Sequence, residues 1–278
     1  MDYRLVSRRN KFHLSVNTIL ILINVLMFIV LSILISINPN LLVYFSLNPS
    51  SILHGQYLWT LLTSMFSHVY FWHLAFNMIS LFFVGILVEK IIGPKRYIFF
   101  YLASGLFAGL VFVLLAGFLG TSVIGAKLFG SPDIAGIGAS GAIFGLVGLL
   151  AVLTPKNRVY LIAGPLIAII LESVLASFLS PSLLASLDLI ITVYVFFSIF
   201  AMFSFNKSLR KAVIPIDMPF WILPIVTIVP LFIIGLFVPL PIANSAHLGG
   251  LLFGLAYGLY LKNKFPNKTQ MISRVFSR

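Results

Sequence analysis

Apolar residues in this chain run in continuous blocks of roughly 20, the length an α-helix needs to cross a hydrocarbon core. Hydropathy and turn punctuation predict eight helices, over 16–37, 68–92, 96–119, 138–154, 158–179, 185–205, 219–239 and 244–262. The first block follows Arg4, Arg8, Arg9 and Lys11, as a signal-peptide core would. It is too long for such a core, and no small-residue cleavage site follows at Ile37-Asn38-Pro39-Asn40. It therefore reads as a retained helix.

Composition agrees. The chain has 278 residues, 60% hydrophobic and 9% charged, with mean hydropathy +1.12. A soluble fold needs a largely polar surface, so the class is an all-α polytopic membrane protein. The absence of cysteine removes disulfides, thiol catalysis and Cys-ligated metal. Cysteine-free and isoleucine-rich, the chain suits a multi-pass protein of a prokaryotic cell membrane.

The net charge of +12 points to topology and away from nucleic acid, because the basic residues fall in short clusters between spans. With both termini cytoplasmic, every second connection is cytoplasmic and holds a cluster: Lys90, Lys95 and Arg96; Lys156 and Arg158; Lys207, Arg210 and Lys211. The tail adds Lys262, Lys264, Lys268, Arg274 and Arg278, and of the 18 Lys and Arg only Lys127 falls outside. Losing one span would invert the tail; six spans, with 158–205 not crossing, would keep the parity.

This topology gathers chemistry. The second, fourth and eighth blocks run from outside to inside, so their first turns share the outer leaflet. Those turns carry His73 and Asn77, Ser140, and His247. Serine becomes a nucleophile only when a base takes its proton, and His247 is the leading base. Gly250, Gly254 and Gly258 follow His247 along one helical face, and Gly141, Gly145 and Gly148 follow Ser140. Stripes of small residues let two membrane helices approach to backbone contact, which a short serine side chain requires. His73 and Asn77, at i and i+4, share a face and can join the Ser140 backbone N–H in binding an oxyanion.

Other polar residues carry less. His68 faces away from His73 and reads as orienting the loop or local water. His54 is a loop residue and His13 a flank residue, and no metal-ligand spacing such as H-E-x-x-H occurs, so no metal or cofactor is expected. Asp133 precedes Ser140, but its spacing does not demand a Ser-His-Asp triad. Glu172, the acid well inside an apolar span, is either a functional group or a structural one, protonated or paired with a nearby serine.

These residues resemble the rhomboid family of intramembrane serine proteases. Gly138-Ala139-Ser140-Gly141 is similar to the family's GxSG motif, and Ala246-His247-Leu248-Gly249-Gly250 to its base segment. His68 to Asn77 is similar to its H-x4-H-x3-N string, and Gly93-Pro94-Lys95-Arg96-Tyr97 to another common segment. The resemblance covers 16–154 and 212–262. It implies a Ser140–His247 dyad, an oxyanion site of His73, Asn77 and the Ser140 N–H, and Phe144 packed against the base, with Gly138 and Gly250 in support. The loop 38–67 would be a partly embedded first loop; its Trp59-Thr60 stands where the family often has Trp-Arg.

By the same resemblance the fold is a six-helix core with two further transmembrane helices. The single membrane domain divides into a cytoplasmic segment 1–15, core helices in 16–154, an inserted hairpin 158–205, core helices in 212–262 and a cytoplasmic tail 263–278. The expected activity is hydrolysis of transmembrane protein substrates in the bilayer, near the outer leaflet. The alternatives are an inactive rhomboid-like protein that binds membrane proteins, and a transporter built around Glu172. No nucleic-acid partner is expected, and nothing in the chain selects an oligomeric state.

Overall fold

The computed structural model describes residues 14–176, 178–203, 207–237 and 243–276. Arg4, Arg8, Arg9, Lys11, His13 and Arg278 lie outside the described residues. Within them the chain is a bundle of apolar helices with one small ladder. In order these are α1 (Val16–Ile37), α2 (Phe71–Ile92), α3 (Pro94–Leu119), α4 (Ser140–Leu153), β1 (Arg158–Ile162), α5 (Ala163–Leu175) and α6 (Pro181–Phe203). Then follow β2 (Pro215–Pro219), α7 (Leu223–Phe237), α8 (Asn244–Lys264) and α9 (Pro266–Phe276). By length and hydropathy α1, α2, α3 and 181–198 of α6 are each able to cross a membrane; α4, 163–172 of α5 and α7 are shorter apolar helices. This is a polytopic helical membrane protein.

The helices cluster around α4, whose Leu146, Leu149 and Leu150 are fully buried with Tyr97 and Tyr101 of α3. Its closest neighbour is α8. A Cβ at Gly250 would land on the Gly141 carbonyl oxygen, and one at Gly254 on that of Gly145. A Cβ at Gly148 would lie 2.6 Å from the Leu251 carbonyl oxygen. The two backbones thus touch along both glycine stripes. On its other side α4 meets α3, where a Cβ at Gly141 would lie 2.7 Å from the Ala108 Cβ.

The outer helix α1 is tied to this core at its start. Both Glu89 carboxylate oxygens accept from its free first-turn amides, Val16 N and Asn17 N, each at 2.9 Å. Tyr97 Oη donates to the buried Asn17 Oδ1 at 2.5 Å. Just there, Leu81–Gly85 of α2 forms a π-turn. Gly85 has no room for a Cβ beside Asn17 and Tyr97.

The boundaries differ from expectation at several places: the sixth helix starts at Pro181, four residues early, and the seventh at Leu223, four late. The second helix starts at Phe71, three residues late, and the fourth starts at Ser140 and not at 138. The fifth block is the larger correction: 158–162 is a strand, and the helix starts at Ala163. β1 pairs antiparallel with β2, from Arg158↔Pro219 to Ile162↔Pro215. An apolar run by itself does not separate strand from helix. Here Val159, Tyr160 and Ile162 favour extended backbone, and the partner segment is held out of helix by its prolines. Arg158 clamps Asp217 across the ladder through Nε and Nη2, at 2.7–3.0 Å. That hydrogen-bonded charge holds the Asp217 carboxyl below its usual range. The pair's contribution is therefore present above the ordinary carboxylate pKa and fades only as pH falls through the lowered folded value. Both side chains are exposed, so the contribution is small.

Everything between α4 and α7 leaves and returns at one point. Phe220 N–H donates to the Asn157 carbonyl at 2.8 Å, immediately below the ladder. The α5–α6 hairpin lies against α2, where Phe196 meets Trp72 edge-on with centroids 4.1 Å apart.

Two expectations follow. Replacing 158–219 by a short glycine-rich turn should leave a folded core, because the new ends already adjoin and helix parity is kept; a collapse of the thermal unfolding transition in detergent would contradict this. Gly250→Val should cost about 1–3 kcal/mol, because two backbones must separate. Gly117→Ala should cost clearly less, because its Cβ meets only the flexible end of Leu53. Thermal midpoints of the two variants compare them directly.

Candidate active site

Ser140 opens α4, and His247 lies in the first turn of α8. Although 107 residues apart in sequence, Ser140 Oγ and His247 Nε2 are 2.8 Å apart. The glycine contact below them sets this distance. The start of α8 is pinned besides: Ser245 Oγ donates to the Phe129 carbonyl at 2.7 Å and Asn244 Nδ2 to the Leu231 carbonyl at 3.3 Å. Phe144, one turn below Ser140, stacks on the imidazole with centroids 4.3 Å apart and planes 16° from parallel. Stacking on one face and a hydrogen bond at Nε2 leave the ring little rotational freedom.

The other imidazole nitrogen, Nδ1, is buried without a hydrogen-bond partner. Among the described residues no carboxylate bonds the ring in the manner of a triad. Asp133 is exposed, and its carbonyl accepts from Asn48 Nδ2 at 3.0 Å.

The oxyanion candidates gather over the peptide that enters α4. Gly138 has φ +118°, which favours glycine, and a Cβ there would lie 2.6 Å from His73 Cε1, 2.7 Å from His73 Nε2 and 3.7 Å from Asn77 Nδ2. Both side chains of α2 therefore close on the backbone just before Ser140. Asn77 Nδ2 gives one proton to the His73 carbonyl at 2.8 Å and keeps a second donor. The Ser140 N–H belongs to the first turn of α4, whose amides have no carbonyl four residues back. His73 and Asn77 thus lie beside the peptide that leads to the Ser140 N–H.

The loop 38–67 holds this entrance. Gly138 N–H donates to the Ser64 carbonyl at 2.8 Å, and Leu47 and Gly136 exchange two backbone hydrogen bonds at 2.9 Å. Trp59 Nε1 donates to the Tyr44 carbonyl at 3.0 Å, and Thr60, fully buried, donates to the Tyr57 carbonyl at 2.7 Å. Sequence reasoning missed Ser64, Leu47 and Gly136 in this clasp. The only local signal was the glycine spacing of 136 and 138, since backbone pairing leaves no side-chain signature.

The remaining polar residues separate clearly. His68 is fully buried with its ring edge-on to His73, centroids 4.9 Å apart. His54 is exposed, and its Nδ1 bonds the Ser50 carbonyl at 2.7 Å. Among the described residues no three His, Asp or Glu are grouped to hold a metal. Glu172 lies beside Asp188 of α6.

Two features bear on hydrolysis within a bilayer. α4 has 14 residues and spans about 21 Å, against about 30 Å for the hydrocarbon core. Beside Ser140 a crevice of about 40 Å³, lined by Met65, Gly105, Ala108, Phe112 and Ala246, has room for water.

Known proteins match this arrangement. The Rhomboid domain family model matches residues 55–194 and 189–264. Rhomboid protease GluP of Bacillus subtilis is 35% identical over 123 residues, 44% of this chain and 21% of that protein. Putative rhomboid protease YdcA of the same organism is 33% identical over 91 residues, 33% of this chain and 39% of the relative. Inactive RHOMBOID-like protein 8 of Arabidopsis thaliana is 33% identical over 100 residues, 36% of this chain and 24% of its own. The chain thus spans between about a fifth and two fifths of the length of these relatives. With a model match over most of its length and this architecture around Ser140, the chain belongs to the rhomboid family.

Proposed function

We propose that this protein is an intramembrane serine endopeptidase that cleaves transmembrane protein substrates near the outer leaflet through a Ser140–His247 dyad. The observation that carries the reading is the 2.8 Å contact between Ser140 Oγ and His247 Nε2. In the first step Nε2 takes the hydroxyl proton as Oγ attacks the scissile carbonyl. The resulting oxyanion is held by the Ser140 N–H, His73 Nε2 and Asn77 Nδ2. His247 then gives its proton to the departing amine, and a water activated by the same imidazole hydrolyses the acyl-enzyme. Phe144 keeps the ring in register throughout.

A substrate helix hides its carbonyls in its own hydrogen bonds, so segments with small or helix-breaking residues near the outer leaflet are the fitting class. The dyad opens outwards, both termini are cytoplasmic and eight helices cross, with α5 and α6 as an insertion in a six-helix core. The positive-inside distribution and the adjacency of Asn157 and Phe220 support this arrangement. A non-catalytic, membrane-protein-binding role is the second reading, favoured by the relative named inactive.

Reconstituted protein and a transmembrane substrate test the proposal. Wild type should cleave and be labelled by a serine-directed phosphonate, and Ser140→Ala should do neither. Cleavage surviving in Ser140→Ala would refute the dyad, and a wild type that neither cleaves nor labels would favour the binding role. Asn77→Ala should lower kcat by about 10²–10³ with little change in KM, the cost of one oxyanion donor. Gly138→Ala should also depress kcat, by at least about tenfold, through strain at positive φ and displacement of His73. Its thermal midpoint should fall by only a few degrees.

A further inference from the structure

Helix α9 lies at the opposite end of the bundle from Ser140. It follows α8 after one residue, Phe265, with Pro266 as its first position. Lys262 and Lys264 mark the end of α8, so α9 cannot move far from the membrane boundary. Thr269, Ile272 and Phe276, at i, i+3 and i+7, form its sheltered side. On the adjacent strip Met271 and Val275 are 63% and 62% exposed. Lys268 falls on that same strip, while Asn267, Gln270 and Arg274 make a separate polar arc. The apolar arc is therefore wider than the part the bundle covers.

Charge identifies what meets the remainder. The chain has six acidic residues, and none follows Asp217. At this end of the bundle, Glu89 is occupied by the start of α1 and Asp217 by Arg158. The ammonium groups of Lys264 and Lys268 both lie over the Phe265 ring, 5.7 and 5.8 Å from its centroid, beside the Met271 strip. An apolar strip flanked by lysines on a helix tethered at the boundary is the pattern of an in-plane interfacial helix.

We propose that α9 is an interfacial anchor that binds anionic phospholipid, with Met271 and Val275 in the headgroup–acyl boundary and Lys264 and Lys268 on phosphates. It rests on the membrane embedding of α8 and is independent of whether the dyad is active. Under the orientation given above, the lipid belongs to the cytoplasmic leaflet, whose negative surface attracts such segments.

The chain contains no cysteine, so a single introduced thiol reports on one position. Full-length Met271→Cys and Gln270→Cys would be labelled with an environment-sensitive fluorophore. Each is then reconstituted in phosphatidylcholine vesicles with or without a quarter phosphatidylglycerol. Lipids spin-labelled at the headgroup–acyl boundary should quench position 271 at least about threefold more than 270. The difference should grow with phosphatidylglycerol and shrink in high salt. Lys264→Glu with Lys268→Glu should abolish the lipid dependence while phosphonate labelling or the thermal midpoint reports an intact core. Equal quenching at 270 and 271, or no response to anionic lipid, overturns the proposal. So does shielding of 271 from both lipid and aqueous quenchers, which would mean a protein covers it.

Discussion

Backbone contact between α4 and α8 is the constraint on which the site depends. A bilayer supplies no hydrophobic drive for two apolar helices to associate, so their closeness comes from shape and dispersion. Glycines on both sides remove every Cβ from the seam, and carbonyls of α4 lie where those atoms would be on Gly250 and Gly254. The short Ser140 side chain meets an imidazole from the other helix only because this seam is closed. One added methyl group in the seam moves the two ends of the dyad apart.

Around that seam each remaining part fixes one degree of freedom. Phe144 holds the plane of His247, Ser245 and Asn244 hold the start of its helix, and the 38–67 loop holds the peptide before Ser140. These contacts come from five separate stretches of chain. Ser140 and His247 are thus held in place although no single element is strongly anchored. The short α4 has a small crevice beside its first residue.

The segment 158–219 obeys the same economy. Its ends adjoin through the Phe220–Asn157 hydrogen bond, so α5 and α6 lie on a stretch of chain that leaves and returns at one place. Phe196 of α6 meets the core at Trp72, the residue before His73.

The sequence by itself determined the class, the approximate helices and the meeting of Ser140 with His247. Hydropathy blocks are as long as a bilayer is thick, charge clusters set the expected parity, and glycine periodicity marks the faces that touch. It did not reveal the β1–β2 ladder or the clasp of Leu47 and Ser64 on Gly136 and Gly138. It also did not show Glu89 capping α1 or the π-turn at Leu81–Gly85. All of these join residues distant in sequence or lie in backbone hydrogen bonds, which any side chain can make. Tertiary structure alone decided them, because they depend on which carbonyls and amides the packed helices leave unsatisfied and close to one another.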